Sequence, residues 1–332
     1  MILVTGGTGF IGQHLVRKLV DEGQEVRVLK RAKTKNPFTD FYSSKINFVD
    51  GDVLDIASLE DAMNGIEKVY HNAGVVSFNP KEKDWIMKVN VEGTTNVVNV
   101  ALTNGIKKFL HVSSIAAIGR DLLSKEVNEK TEWKKSKLNS TYAISKFRGE
   151  REVWRGIAEG LNAVIVNPAV VIGAGNWNEG TCRFFRDSYK GLPAYTNGVT
   201  GFVDVSDVVE VMIKLMESEI ADERFILVSE NKSFKDFFFS VCGKLKKPKP
   251  KMEAKPWMTG IAWRLFAVKS ALFGGEPLVT KETALTSMQQ FFYSNEKIKQ
   301  AINYHFIPLE KTISETCKQF LKDVEDKKFS IK

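Results

Sequence analysis

A tyrosine and a lysine one helical turn apart are the residues whose types and spacing most directly suggest chemistry. Tyr142 and Lys146 begin and end the segment YAISK, so in a helix they share one face. An ammonium beside a phenol favours the phenolate, and we therefore expect the pKa of Tyr142 to fall from about 10 toward neutral pH. Such a group can give a proton to a carbonyl oxygen or take one from an alcohol.

A serine hydroxyl at the end of a predicted strand completes this set. Ser114 follows the apolar segment Phe109 to Val112, which is typical of a buried strand. Its hydroxyl could bind the oxygen of a substrate and orient it. We predict Ser114, Tyr142 and Lys146 as catalytic residues acting on a carbonyl/alcohol pair. Because Tyr-x-x-x-Lys often arises by chance, the prediction depends on the elements that would position these residues.

The first of these elements is a glycine-rich turn at the start of the chain. Ile2 to Val4 predicts a buried strand, and the apolar periodicity from Ile11 to Leu19 predicts a helix. The glycines between them have the dinucleotide-binding spacing, which allows a sharp turn and close approach of a pyrophosphate. The helix N-terminus would present free N–H groups to the phosphates. The predicted cofactor contacts in this turn are Gly6, Thr8, Gly9, Phe10, Ile11 and Gly12.

The end of the predicted second strand, 24–29, bears on the choice between NAD and NADP. An NAD site usually has an acid there to hold the ribose hydroxyls, but this chain has Lys30 and Arg31 and no acid before Asp40. A guanidinium can bind a 2′-phosphate through two hydrogen bonds. We therefore predict NADP(H), with NAD(H) the less favoured cofactor. Arg31 is the main predicted contact and Lys35 a second, while a solvated basic loop is the alternative.

Other candidate contacts follow the third and fourth predicted strands. Asp52 could accept a hydrogen bond from the adenine amino group or cap the helix after it. The small residues at Asn72–Gly74, which include Ala73, would let the main chain lie against a cofactor. Asn90 falls inside a predicted helix over 81–104, where asparagine is not favoured. It could bend that helix, position a water or be an ordinary surface residue.

Strands that alternate with helices up to residue 112 predict an α/β fold, a Rossmann-type doubly wound parallel sheet. Ligands of such a sheet lie beyond the carboxyl ends of its strands. We predict an NADP-binding domain over 1–172, completed by parts of 200–230, and a smaller, mostly helical substrate-binding region over 173–332. The phenylalanine-rich segment 233–245 is expected in a core, and Asp207 is expected to cap a helix over 208–217.

The net charge of +8 and the pI of about 9.1 could indicate a nucleic acid or an anionic membrane as partner. We favour a solvated surface plus an anionic cofactor, and predict no nucleic-acid partner. Residues 257–274 could form a lid, a core helix or an interfacial helix, so membrane contact through 244–274 stays open. Three widely spaced cysteines predict reduced thiols and a cytoplasmic location. The four histidines lack metal-ligand spacing, so no metal is predicted.

Taken in order, the motifs resemble those of the extended short-chain dehydrogenases/reductases, the NAD-dependent epimerase/dehydratase superfamily. The similarity is greatest to the dihydroflavonol-4-reductase-like branch. The matching segments are TGGTGFIG (5–12), GDV (51–53), HNAG (71–74), NVEGT (90–94), HVSS (111–114), YAISK (142–146) and NPAVVIG (167–173).

This resemblance implies a role for each matched residue. Tyr142 would be the catalytic acid/base, Lys146 would hold the nicotinamide ribose, and Ser114 would bind the reacting oxygen. Asn90 becomes a structural or proton-relay residue. Further cofactor contacts are implied at Val53, Pro168 and Val171.

The expected activity is NADP(H)-dependent reduction of a ketone or aldehyde to an alcohol, with a small-molecule carbonyl or alcohol as substrate. A nucleotide-sugar epimerase with tightly bound NAD is the first alternative. It is weakened because Thr200 stands where epimerases typically have an arginine. A non-catalytic cofactor-binding scaffold and a membrane-peripheral sterol or lipid dehydrogenase are further alternatives. A homodimer through helices 81–104 and 141–158 is possible.

Overall fold

A parallel seven-stranded sheet forms the centre of the molecule, as seen in a computed structural model that describes residues 1–120, 125–136, 139–255, 257–258 and 281–329. Elements are numbered in chain order over these residues. The strand order is β11-β7-β5-β4-β1-β2-β3, and every neighbouring pair is parallel. The strands are β1 (Ile2–Thr5), β2 (Val26–Lys30), β3 (Ile46–Asp50), β4 (Lys68–His71), β5 (Lys108–Val112), β7 (Ala163–Pro168) and β11 (Glu223–Leu227).

Helices cover both faces of this sheet, because successive side chains of each strand point to opposite sides. Ile2 and Val4 pack into one core, whereas Leu3 packs into another. The first core is closed by α1 (Phe10–Asp21) and α8 (Val205–Glu217). The second is closed by three helices, which are α3 (Ile56–Met63), α5 (Gly93–Thr103) and α6 (Thr141–Ala158). The predicted doubly wound α/β fold is confirmed.

The expected helix over 81–104 is interrupted. It consists of α4 (Lys83–Met87), a π-helical turn over Lys88–Glu92, and α5. Such one-turn bulges often occur at functional sites, and this one contains Asn90.

A third core lies in the second half of the chain. A small sheet of β8 (Val170–Ile172), β10 (Val199–Asp204) and β12 (Glu230–Ser233) has the order β12-β10-β8. The helices packed there are α7 (Arg183–Lys190), α9 (Phe234–Lys244) and α12 (Leu309–Glu325). Phe202 and Phe237 stack there with ring centroids 4.6 Å apart. The phenylalanine-rich segment therefore contributes to a core, as expected.

The remaining elements are short. They are α2 (Asp40–Ser43), β6 (Glu126–Val127), β9 (Ala194–Tyr195), β13 (Met252–Glu253), α10 (Lys281–Thr286), β14 (Phe292–Tyr293) and α11 (Glu296–Ile302). Apart from 257–258, the predicted lid or interfacial segment 257–274 lies outside the described residues. Within the described ranges, no helix is long and apolar enough to cross a membrane.

The prediction that Asp207 caps α8 is wrong. Asp204 is the N-cap, and its Oδ1 accepts from Ser206 N at 2.7 Å. Asp207 lies in the first turn, where its carboxylate accepts from Tyr304 Oη at 2.8 Å and from Ile307 N at 2.9 Å. It therefore holds the segment before α12 against α8 instead of capping its own helix.

Candidate active site

The glycine turn between β1 and α1 has the backbone that its sequence predicts. Gly6 has a φ of +66°, and a Cβ placed there would lie 2.6 Å from Ala73 N. At Gly12 a Cβ would lie 2.2 Å from Gly6 O. Gly9 is the N-cap of α1 and has no side chain to occupy the first N–H groups. The turn thus leaves a helix N-terminus open to an anionic group.

The other predicted residues of this turn lie around it and are partly buried. Thr8 accepts from Gln13 Nε2 through its main-chain oxygen at 2.9 Å. Ile11 packs at the margin of the first core. The ring of Phe10 lies against Gly175, where a Cβ would come within 2.8 Å of it. Phe10 therefore links the predicted cofactor turn to the loop after β8.

An open groove of about 850 Å³ lies beyond the ends of β2 and β3. Arg31 and Lys33 line it on one side and Asp50, Asp52 and Asp55 on the other. Lys33 is among the described residues that line it, whereas Lys35, the second predicted contact, is not. Arg31 is exposed, so its guanidinium can reach a phosphate. The groove has the cations that a 2′-phosphate requires, but carboxylates are also present.

Asp52 and Val53 follow β3 at this groove. Asp52 is half-buried, and its Oδ1 accepts from Leu54 N at 3.0 Å. Val53 is buried against Gly93 of α5, and its main-chain oxygen accepts from Asn96 Nδ2 at 3.1 Å. Asp52 can therefore face a ligand, whereas the contacts of Val53 are with the protein.

The segment after β4 lies directly against the glycine turn. Asn72 Nδ2 donates to Gly6 O at 3.2 Å, and Ala73 N donates to Thr5 Oγ1 at 3.3 Å. A Cβ at Gly74 would lie 3.7 Å from Lys146 Nζ. The predicted cofactor turn and the predicted catalytic helix therefore meet at Asn72–Gly74.

The structure brings Ser114, Tyr142 and Lys146 together at the carboxyl end of β5. Ser140 caps α6 by accepting from Ala143 N at 3.0 Å, which starts the helix immediately before Tyr142. The side chains of Tyr142 and Ser114 lie close enough to interact. Lys146 Nζ donates to Val112 O at 2.8 Å. A hydroxyl pair therefore lies where a substrate oxygen could be held, with an ammonium one turn behind it.

Burial dominates the protonation of this site. It raises the pKa of Tyr142 above its usual value, and the interaction with Ser114 only partly opposes this. The expectation that Lys146 lowers the pKa of Tyr142 below 10 is therefore wrong for this structure. Burial also lowers the pKa of Lys146 to about 8, against the opposing charge of Glu150.

Asn90 is a clamp between the loop after β4 and α6. Its Oδ1 accepts from Val75 N at 2.7 Å, and its Nδ2 donates to Val75 O and Ser145 Oγ, both at 2.9 Å. Its main-chain oxygen, within the π-helical turn, accepts from Thr94 Oγ1 at 2.8 Å. Of the uses that the sequence left open, these contacts support the structural one.

The end of β7 and the start of β8 also border the candidate site. Pro168 ends β7 beside Leu227 of β11, and Val171 is a buried residue of β8. Asn167, which precedes Pro168, donates to Ser114 O at 3.0 Å. Phe78 packs edge-on against Tyr142, with ring centroids 5.7 Å apart. Sequence reasoning missed Asn167 and Phe78, because neither residue has a characteristic spacing from the catalytic pair.

No group of three or more metal-ligating side chains occurs in the part of the chain that the structure describes. Cys182, Cys242 and Cys317 are buried free thiols.

Comparison with known proteins assigns this architecture to a family. Residues 2–227 match the model of the NAD dependent epimerase/dehydratase family. The chain belongs to this family. The curated protein "Putative dihydroflavonol 4-reductase" of Synechocystis sp. is 30% identical, over 96% of this chain and 93% of its own length. The family assignment confirms the resemblance that the motifs indicate.

Solved structures with the same fold are also known. The crystal structure of gox2253 is similar with a TM-score of 0.82 at 29% identity, covering 97% of this chain and 98% of that chain. The UDP-glucose 4-epimerase of Thermus thermophilus, in complex with NAD, has a TM-score of 0.76 at 21% identity, with 96% and 98% covered. The chain is thus an oxidoreductase of the NAD(P)-dependent epimerase/dehydratase family.

Proposed function

We propose that this chain is an NADP(H)-dependent reductase that converts a ketone or aldehyde to an alcohol. The observation that carries this proposal is that the side chains of Tyr142 and Ser114 interact at the carboxyl end of β5, one helical turn from the Lys146 ammonium. Two hydroxyls placed together in this way can both bind one carbonyl oxygen. The similarity to the Synechocystis protein, which is named as a reductase, supports the assignment as a reductase.

The roles of the residues follow from this geometry. When bound, the nicotinamide supplies or accepts the hydride. Ser114 donates a hydrogen bond to the substrate oxygen and orients it, and Tyr142 transfers a proton to that oxygen. Because burial keeps Tyr142 protonated, it begins the reductive direction as a proton donor. Lys146 holds the ribose and adds a positive charge near the developing oxyanion.

The residues around the glycine turn fit a dinucleotide. The open N-terminus of α1 and the close approach of Gly6 to Ala73 provide room and N–H groups for a pyrophosphate. Arg31 and Lys33, in the groove beyond β2, favour a 2′-phosphate. The experiment that tests the proposal is NADPH oxidation by the purified protein with a panel of aromatic and aliphatic ketones and aldehydes. Turnover with NADPH and at least one carbonyl is expected.

A nucleotide-sugar epimerase is the second candidate, favoured by the likeness in fold to UDP-glucose 4-epimerase. Thr200 opposes it, since it stands on β10 where a typical epimerase has an arginine. An epimerase would retain nucleotide through purification and would bind UDP. Nucleotide that remains after dialysis, with no NADPH oxidation by any carbonyl, would replace the reductase with this alternative.

A further inference from the structure

Glu150 is a carboxylate deep in the protein, one turn beyond Lys146 on α6. It is 2% exposed. Its Oε2 accepts from Ser113 Oγ and Asn167 Nδ2, both at 2.7 Å. Its Oε1 accepts from Arg224 Nη1 at 3.0 Å. Arg224 thus supplies the opposite charge to this carboxylate in the interior.

Two of these donors belong to residues next to the main chain of Ser114, namely Ser113 and Asn167. Ser113 directly precedes Ser114 and is itself buried. Asn167 uses the same amide nitrogen to donate to Ser114 O at 3.0 Å and to Glu150. The carboxylate therefore connects the end of β5 to the end of β7. A change at Glu150 would remove the acceptor that Ser113 and Asn167 share.

The same carboxylate is the counter-charge that the described residues provide to Lys146. Glu150 and Lys146 share one face of α6 at i and i+4. His71 of β4 and His111 of β5 also face Lys146, but burial lowers the pKa of His71 to about 3 and that of His111 well below its usual value. Both histidines are therefore neutral. Tyr142, on the same helix, is neutral as well because burial raises its pKa.

We propose that Glu150 is a positioning residue of this site, which fixes the Ser114 main chain through Ser113 and Asn167 and places a negative charge behind the Lys146 ammonium. Its effect on turnover rests on the function proposed above. Its effect on Lys146 does not, and can be measured in the absence of any substrate.

The first test compares Glu150→Gln with Glu152→Gln. Glu152 is on the same helix but pairs with Arg155 at 3.0 Å, away from the site. In protein labelled with ¹³C at lysine Cε, the NMR signal of Lys146 is assigned by its loss in Lys146→Arg. Its titration should shift downward by about one pH unit in Glu150→Gln and remain as in wild type in Glu152→Gln. A folded Glu150→Gln protein in which Lys146 titrates as in wild type would overturn the proposal.

The second test is kinetic. If the wild type reduces a carbonyl, Glu150→Gln should lower kcat about tenfold and leave the KM of the carbonyl within about twofold, since Glu150 does not touch substrate. The alkaline limb of the rate profile should move to lower pH together with the Lys146 titration. An unchanged kcat and pH profile would contradict the positioning role. If the wild type reduces no carbonyl, the proposed function fails, whereas the NMR titration still decides the role of Glu150.

Loss of the carboxylate leaves Arg224 without its buried partner, and this could prevent folding. Circular dichroism checks for folding. The double variant Glu150→Gln/Arg224→Gln removes both charges and so avoids that cost. A downward shift of Lys146 is expected in it as well, smaller than in Glu150→Gln because loss of the Arg224 cation acts in the opposite direction, and its absence would equally contradict the proposal.

Discussion

The ammonium of Lys146 donates a 2.8 Å hydrogen bond to the main-chain oxygen of Val112. Val112 is the last residue of β5, two positions before Ser114, so this bond ties the helix that carries Tyr142 to the strand that delivers Ser114. The three predicted catalytic residues are therefore placed by contacts within the protein. Preorganised groups of this kind need not move when the charge on a substrate oxygen develops.

Replacing Tyr142 with phenylalanine removes the proposed proton donor and leaves the ring. We expect kcat for carbonyl reduction to fall by a factor of about 10² to 10⁴, the usual contribution of a positioned acid. Binding of NADPH, followed by tryptophan fluorescence, should stay within about threefold, since the phenol acts on the substrate oxygen.

The matched control is Tyr42→Phe, because Tyr42 bonds to Asp21 away from the site, at 3.2 Å. It should leave turnover unchanged. Near wild-type kcat in Tyr142→Phe would eliminate the proposed role of the phenol.

Arg31 is expected to determine the preference for NADP(H). Removing its guanidinium in Arg31→Ala should raise the Kd of NADPH about tenfold, which corresponds to about 1.4 kcal/mol, and leave the Kd of NADH nearly unchanged. The reason is that a 2′-phosphate offers two acceptors to a guanidinium, whereas a ribose hydroxyl does not.

Comparing Lys33 with Lys35 tests whether NADPH binds through the groove or through the basic loop as a whole. Lys33 lines the groove with Arg31, so Lys33→Ala should weaken NADPH binding more than Lys35→Ala does. If Arg31→Ala weakens NADPH and NADH equally, the loop acts as a general basic surface and the NADP(H) assignment is wrong.

Those parts of the fold that follow from local pattern could be predicted from the sequence. The strand Ile2–Thr5 and the helix Phe10–Asp21 contain the predicted strand over Ile2 to Val4 and the predicted helix over Ile11 to Leu19, because apolar strands and amphipathic helices carry their own periodicity. Gly6 and Gly12 can be identified because their spacing is that of a turn in which only glycine fits. The positive φ of Gly6 and the crowding at Gly12 explain why.

Properties that depend on long-range packing could not be predicted. Arg224 is 74 residues from its partner Glu150, and no local pattern indicates that they meet. The predicted shift in the pKa of Tyr142 has the wrong direction, because the spacing to Lys146 reveals a nearby charge but not the burial of the phenol. Burial has the larger effect on this pKa. Asp207 is not the cap of α8 because it bonds to Tyr304, 97 residues away, and no local pattern indicates that contact.

The clamp at Asn90 should contribute measurably to stability. Asn90→Ala deletes three hydrogen bonds to Val75 and Ser145 and should lower the free energy of unfolding by about 1–3 kcal/mol. Because Val75 directly follows the predicted cofactor contacts Asn72–Gly74, the KM of the cofactor should rise as well. Both are measured by urea unfolding and steady-state kinetics.

Asn99→Ala provides the comparison for Asn90, since the exposed Asn99 bonds to Arg155 at 2.6 Å. It should change the free energy of unfolding by less than about 0.5 kcal/mol. Equal effects of the two variants would show that Asn90 is not a clamp.

Asp207 makes the stability depend on pH. Burial raises its pKa from 3.8 to about 6 in the folded protein, so between these values the unfolded chain loses the proton while the folded chain keeps it. The stability that this proton provides is fully present below about pH 4 and is lost as the pH rises through about 6. Asp207→Asn cannot ionise and can still accept from Ile307 N through its amide oxygen. Between pH 5 and pH 8 the wild type should therefore lose about 1 kcal/mol more of its free energy of unfolding than the variant does.

Urea unfolding at both pH values measures this difference, with the exposed Asp61→Asn as control. Parallel losses in the wild type and Asp207→Asn would mean that the proton resides elsewhere, with the neighbouring Asp204 as the next group to test.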